Sequence, residues 1–296
     1  MAAWGEAEVG ACQAVLGSAA RFHGTLRKSP CVLRHRQHGG GLPIMGSMSS
    51  AHDFQATGVT AVVDNDAGGT RTIFKDLSFE VHGGEIVDIT GPSGSGKSTL
   101  LTSFARLNVN TTGKFVLDGV DSDTLSPQQW RERVAYLPQT SVLIGDNVAD
   151  AIRLPWSLKI RVSQDHETAE QKLPDSLIRS TLDSMGCEDI DLARAVHELS
   201  GGQAARVSLA RTLLTHPGVL LADEVDAGLD EENADKVADI LRKAADNGTA
   251  VVRIRHRKPD GRANRIMVLA NGTISPLQTA ESAQSAQSAP SAHTEA

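Results

Sequence analysis

Gly91-Pro92-Ser93-Gly94-Ser95-Gly96-Lys97-Ser98-Thr99 follows the short apolar run Ile86–Thr90 and opens a helix-prone stretch. The spacing is G-x-x-x-x-G-K-[ST], and its residue types suit one task. Glycines let the backbone curl until successive N–H groups point inward at phosphate oxygens. The helix that follows adds its partly positive N-terminal end. Lys97 sets a cation against the β- and γ-phosphates, and Ser98 offers a hydroxyl to Mg²⁺. A flexible Gly/Ser linker needs neither the lysine nor a strand and a helix at its flanks.

A second run, Val219-Leu220-Leu221-Ala222, ends in Asp223-Glu224. Adjacent acids at the carboxyl end of a buried strand are costly unless a cation or hydrogen bonds satisfy them. Ligands bind at that edge of an open α/β sheet. Asp223 suits Mg²⁺, and Glu224 suits orienting or deprotonating an attacking water. Alone the pair is ambiguous, because acids after strands also cap helices.

The elements that must position these residues read as α/β. Residues 57–63, 71–75 and 77–82 are predicted strands, with turn signals at Gly68-Gly69 and Gly83-Gly84. Residues 86–90, 115–117, 134–137, 219–222 and 250–254 are further short strands, several of them apolar enough for a buried parallel sheet. Residues 98–107 and 203–214 read as helices, the second with Val207, Ala210, Leu213 and Leu214 on one face. Residues 146–198 are mostly helix-prone or loop.

Composition narrows the classes. Hydrophobic content of 40% with 22% charged residues is that of a globular chain. Aromatics at 3% make no stacking platform for single strands, and a net charge of -7 argues against a phosphate-backbone footprint. No nucleic-acid partner is expected. Three scattered cysteines, Cys12, Cys31 and Cys187, form no disulfide framework. Cys31 with His35 and His38 lacks a fourth ligand at a zinc-type spacing. No run reaches the roughly 18 apolar residues of a spanning helix. Residues 1–50 carry a basic arm and Gly39-Gly40-Gly41, with Met45 and Met48 just ahead of the first strand. They are read as a disordered extension without the pattern of a signal peptide. Residues 276–296, rich in Ser, Ala and Gln, lack the large apolar groups that offset ordering entropy, and read as a disordered tail.

Leu199-Ser200-Gly201-Gly202-Gln203 precedes a helix upstream of Asp223. A plain helix start with Ser200 as cap would explain the serine but not the whole ordered set. With the P-loop and the carboxylates, this order resembles the ABC-type ATPases over about residues 55–275. The resemblance implies a P-loop NTPase: a mainly parallel core sheet with helices, an antiparallel β subdomain, and a helical subdomain over about 140–200 within a cassette spanning 51–275. It implies ATP and Mg²⁺ as ligands. Gln139 resembles the Q-loop glutamine that touches Mg²⁺ or the water. Ala227-Gly228-Leu229-Asp230 resembles the D-loop, and His256 the switch histidine at the γ-phosphate. In this family two cassettes pack head-to-tail, so that Ser200, Gly201, Gly202 and Gln203 of one chain close over ATP held by the other's residues 91–99. A separate transmembrane permease is implied as partner, with this chain on the cytoplasmic face of the cell membrane.

A narrower resemblance lies in Gln139-Thr140, Gly145-Asp146-Asn147-Val148 and Leu154-Pro155-Trp156, which look like the Fet-type iron-export ATP-binding subunits of bacteria. Departures stand beside it. Residues 64–70 offer no aromatic to stack on adenine, which predicts weak base selectivity. Ala227 replaces the usual D-loop serine, and Arg253 and Arg255 flank Ile254 where apolar or small residues are usual. These changes are expected near the interface between cassettes, slowing hydrolysis. The competing reading is a non-transport ABC ATPase acting on nucleic acid or ribosomes, whose usual coiled coil, second cassette or basic linker is missing from this sequence. A binding-only module would need neither Glu224 nor His256.

Overall fold

The computed structural model describes residues 52–64, 69–161 and 168–277. The readings made on the basic arm, on Cys31, His35 and His38, on most of the adenine-facing stretch and on the C-terminal tail lie outside the described residues.

In chain order the elements are β1 (Phe54–Asp64), β2 (Thr70–Val81), β3 (Ile86–Thr90), α1 (Lys97–Phe104), β4 (Thr111–Leu117), β5 (Val120–Asp121), α2 (Pro127–Arg133) and β6 (Val134–Leu137). They continue with α3 (Val148–Arg153), α4 (Ala169–Lys172), α5 (Asp175–Ser184), α6 (Gly201–Leu213), β7 (Val219–Asp223), α7 (Glu231–Asp246), β8 (Ala250–Ile254), β9 (Arg265–Ala270) and β10 (Thr273–Pro276). The strands make two sheets. One has the order β2-β1-β4-β5 and pairs antiparallel; the other has the order β10-β9-β3-β8-β7-β6. In the second sheet β9, β3, β8, β7 and β6 run parallel, with β10 antiparallel at the edge.

The parallel strands are short and apolar because both faces are covered: Val87, Ile89, Leu221 and Val252 pack with α1 and the antiparallel sheet, Ile86, Leu220 and Val251 with α6 and α7. Every residue of β7 and β8 is buried. Opposite charges break the apolar run at its centre: Asp88 on β3 pairs in register with Arg253 on β8. Their side chains form an ion pair inside the sheet, with Arg253 2% and Asp88 3% exposed. Arg253 and Arg255 are therefore buried and paired within the chain.

The strand predicted to end at residue 75 and resume at 77 is continuous. Asp76 takes a positive φ of 55° without ending the pairing, and the partner strand absorbs the irregularity as a bulge near Gly58. Conversely, α1 stops at Phe104, short of the predicted 107, and Arg106 beyond it is left-handed with φ 53°.

Phe104 anchors that helix. Its ring lies 5.2 Å from both Phe54 and Phe79 and 6.2 Å from Phe115. Its carbonyl accepts a bond from the buried Trp130 indole at 2.8 Å. Burial of this order is worth roughly 3–5 kcal/mol per aromatic side chain against alanine. It fixes the helix whose first residues are Lys97 and Ser98. The helical layer has a separate core, in which Val148, Ile152, Leu173, Ile178, Leu182 and Val207 meet. No helix among the described residues is long and apolar enough to cross a membrane.

Candidate nucleotide site

The parallel strands end side by side, and the residues that follow them converge. Asp223 is the register partner of Ile254, and Ile254 of Ile89, so the ends of β7, β8 and β3 form one edge. β6 adds Leu137 opposite Ala222. Residues 91–99, Gln139, Glu224 and His256 all leave that edge.

The loop after β3 is shaped by glycine where it must be. Gly91 has φ 143° and Gly96 φ 97°. A Cβ on Gly91 would run into the Leu269 carbonyl, and one on Gly96 into the Ile73 side chain. Ser95 N bonds Pro92 O at 3.2 Å, closing the turn.

Lys97 is 5% exposed, and its ammonium donates to the carbonyls of Gly91 at 3.0 Å and Pro92 at 3.1 Å. Among the described residues no carboxylate forms an ion pair with it. A buried cation balanced by neutral carbonyls alone is short of negative charge. The Ser95 hydroxyl is buried in the same loop without a hydrogen-bond partner. Both features fit a polyphosphate, and Gly94 at the crest leaves open space around its Cα.

Asp223 is 4% exposed and holds the other wall. Ser98 Oγ donates to Asp223 Oδ1 at 3.1 Å, and the Tyr136 hydroxyl to Oδ2 at 2.9 Å. Burial first, then the bond to Asp223, pushes the Tyr136 phenol well above its ordinary range, so it stays protonated and donates. The composition gave no sign of Tyr136, the single tyrosine of the chain. Its place on β6, beside β7, is a fact of pairing.

Glu224 is held from two sides. Gln139 Nε2 donates to Oε2 at 3.0 Å, and His256 Nε2 lies 2.7 Å from Oε1. Its backbone sits in the left-handed region at φ 49°, a conformation costing on the order of 1 kcal/mol or more. The bond from Glu224 N to Ile254 O at 3.2 Å holds it there. The carboxylate is thus turned off the strand axis, between Gln139 and His256.

The hydroxyl of Ser98, the carboxylate of Asp223 and the free amide oxygen of Gln139 are hard oxygen donors of the kind Mg²⁺ takes alongside phosphate oxygens. Among the described residues no group of three or more His, Cys, Asp or Glu side chains is placed to hold a metal ion.

Ser200, Gly201, Gly202 and Gln203 lie elsewhere. Ser200 caps α6: Gln203 N donates to its hydroxyl at 3.2 Å, and Ser200 N to Gln203 Oε1 at 3.1 Å. Gln203 Nε2 continues to Asp189 at 2.9 Å. Among the described residues no hydrogen bond joins 200–203 to residues 91–99, Asp223, Glu224 or His256. Within one chain the turn is a helix start; Ser200 and Gly201 are exposed.

Known proteins share the sequence pattern and the fold. The family described as "ABC transporter" matches residues 74–227. The "Probable iron export ATP-binding protein FetA" of Escherichia coli (strain K12) is 35% identical over 204 residues, covering 68% of this chain and 86% of FetA. The "Alpha-hemolysin translocation ATP-binding protein HlyB" of Escherichia coli O157:H7 is 32% identical over 206 residues, with 69% of this chain covered but 28% of HlyB. Among solved structures, a bacterial Atm1-family ABC exporter with ATP bound superposes with a TM-score of 0.61 at 26% identity, over 77% of this chain and 39% of that one. A dimeric bacterial ABC transporter cassette shares the fold, with a TM-score of 0.63 at 24% identity over 76% of this chain and 99% of that one. The chain thus spans most of FetA and a minor part of the longer exporters. It belongs to the ABC transporter family, as an ATP-binding and ATP-hydrolysing cassette.

Proposed function

We propose that residues 91–99 hold the triphosphate, with Lys97 on its β- and γ-oxygens, and that Ser98 and Asp223 hold Mg²⁺ with help from Gln139. Bound there, Mg²⁺ neutralises charge between the phosphates. Glu224 accepts the proton of the attacking water, and His256 and Gln139 fix the carboxylate and meet the γ-phosphate side. The observation that carries this reading is the Glu224 carboxylate, held between Gln139 and His256 and next in the chain to Asp223, which bonds Ser98 of a loop whose lysine lacks a counter-charge.

The turn 200–203 completes the site in a second copy. Its exposed amides at the start of the 13-residue α6 offer an anion-binding end that no phosphate loop of the same chain uses. A head-to-tail pair of cassettes brings that end onto the partner's nucleotide.

The work is delivered to a separate membrane permease, with the cassette on the cytoplasmic face. Between Gln139 and α4 the chain exposes Val142, Ile144, Leu158 and Ile160, apolar side chains suited to a protein contact. Likeness to FetA over 204 residues, together with the loop residues 139–156, supports export of iron or another metal. Phosphate release from Mg-ATP tests the site: Lys97→Ala should abolish it, and Glu224→Gln should retain ATP in a dimer while stopping turnover. Unchanged hydrolysis by Glu224→Gln overturns the role of Glu224. Metal uptake into vesicles holding the chain with its permease tests the cargo, and ATP turnover without metal movement overturns it.

A further inference from the structure

Three consecutive residues after β8 each grip the segment that follows β7. Arg255 Nε donates to Asp226 Oδ2 at 3.0 Å. His256 meets Glu224. Arg257 Nη2 donates to the Leu229 carbonyl. The two segments are laced along their length, from the catalytic carboxylate to the end of the turn that Asp230 closes as cap of α7.

The lacing is anchored behind. Arg255 Nη1 lies 2.7 Å from Asp260 Oδ2, and its backbone N donates to Ile89 O at 3.4 Å. Asp260 also accepts from Arg253 at 3.0 and 2.8 Å, and Arg253 reaches Asp88 on the strand that leads into the phosphate loop. Asp88, Asp226, Asp260, Arg253 and Arg255 are each less than a tenth exposed. A buried ionic network is a poor source of stability compared with apolar packing, because desolvation offsets the attraction. What it does supply is geometry, since each guanidinium fork accepts few orientations. Arg257 is different: it is exposed, and its bond to a main-chain carbonyl contributes little to folding.

We propose that Arg255 and Arg257 are positioning residues. They lock the His256 loop to the turn 226–230, so that displacement of that turn moves the imidazole on or off the Glu224 carboxylate. This rests on the roles given to Glu224 and His256 above. The bonds of both arginines go to protein groups, and each acts through His256.

Arg257→Ala decides the matter, because it removes an exposed bond and leaves the buried network whole. The expected result is a fall in kcat of about tenfold, with KM for ATP and the thermal midpoint held, and partial recovery in Arg257→Lys. Arg255→Lys, which keeps the charge but loses the fork, should also lower kcat while sparing KM. A wild-type kcat in Arg257→Ala overturns the proposal. So does a loss in which KM and thermal midpoint change in parallel with kcat. Failure of the underlying reading is seen separately: wild-type turnover in His256→Ala would remove the group that the two arginines position.

Discussion

Asp88 on β3 stands directly opposite Arg253 on β8, and its two carboxylate oxygens take two guanidinium bonds inside the buried sheet. Asp260 holds the other side of the same guanidinium. Removing Arg253 alone leaves two buried carboxylates short of a partner. Arg253→Met should therefore destabilise the chain by about 3–5 kcal/mol in chemical denaturation. Asp88→Leu with Arg253→Leu should cost less than the sum of the single changes; strict additivity would show that the pair does not interact.

Lys97 is the reverse case, a buried cation whose hydrogen bonds go to Gly91 and Pro92 carbonyls. Its loss should leave the nucleotide-free chain no less stable, while phosphate release falls on the order of 10²-fold or more. Thermal melts without nucleotide, set beside phosphate-release assays, give the comparison. A large drop in the melting midpoint would mean that the lysine supports the fold.

Gly96 is constrained twice, by φ 97° and by Ile73. Gly96→Ala should lose stability through both. Adding Ile73→Ala should relieve the steric part and leave a residue of about 1–2 kcal/mol from the left-handed backbone. Gly91→Ala has no such relief, because the obstacle is the Leu269 carbonyl. Equal recovery at both glycines would contradict this.

Tyr136 donates to a carboxylate that also receives Ser98. Tyr136→Phe should cost about 1.5–3 kcal/mol of stability, the worth of a hydrogen bond to a charged group. Denaturation midpoints measure it directly.

His82 is tied to Asp53 at 2.9 Å, and that bond, ahead of nearby carboxylate charge, raises its pKa above the ordinary 6.5. A raised folded value means the contribution is complete below 6.5 and fades as pH rises through the folded pKa. The group is exposed, so the effect should stay below about 1 kcal/mol. An NMR titration of His82 should show the raised midpoint, returning toward 6.5 in Asp53→Asn.

Residues 91–99, Asp223 and Glu224 stand out as candidates because phosphate and water chemistry restrict the residue types after each strand, whereas Gln139 and His256 are singled out by the family resemblance. The strands β3, β6 and β8 were legible end to end, since a short apolar run between turn residues has few other readings. The pairing of Arg253 was not legible for a physical reason: its counter-charge, Asp88, lies 165 residues away in the chain. Tyr136 hid for the same cause. α7 was not read from the sequence, although Asp230 as cap with Glu231 and Glu232 in the first turn signals its start, and β9 and β10 owe their place to pairing with β3 and with each other.

The helical layer keeps its own apolar interior, yet α6 belongs to both halves: Val207 and Ala210 face that interior, while Leu209 packs with Leu220 and Val251 of the sheet. α6 can therefore serve as a pivot, with Ser200 at its free tip. A swing of roughly ten degrees there would carry the capped turn by about 2–3 Å, while the floor built on Asp223 and Lys97 stays still. Amide exchange faster in α5 than in β7 would be the fingerprint of such a split, a soft jaw hinged on a stiff bed.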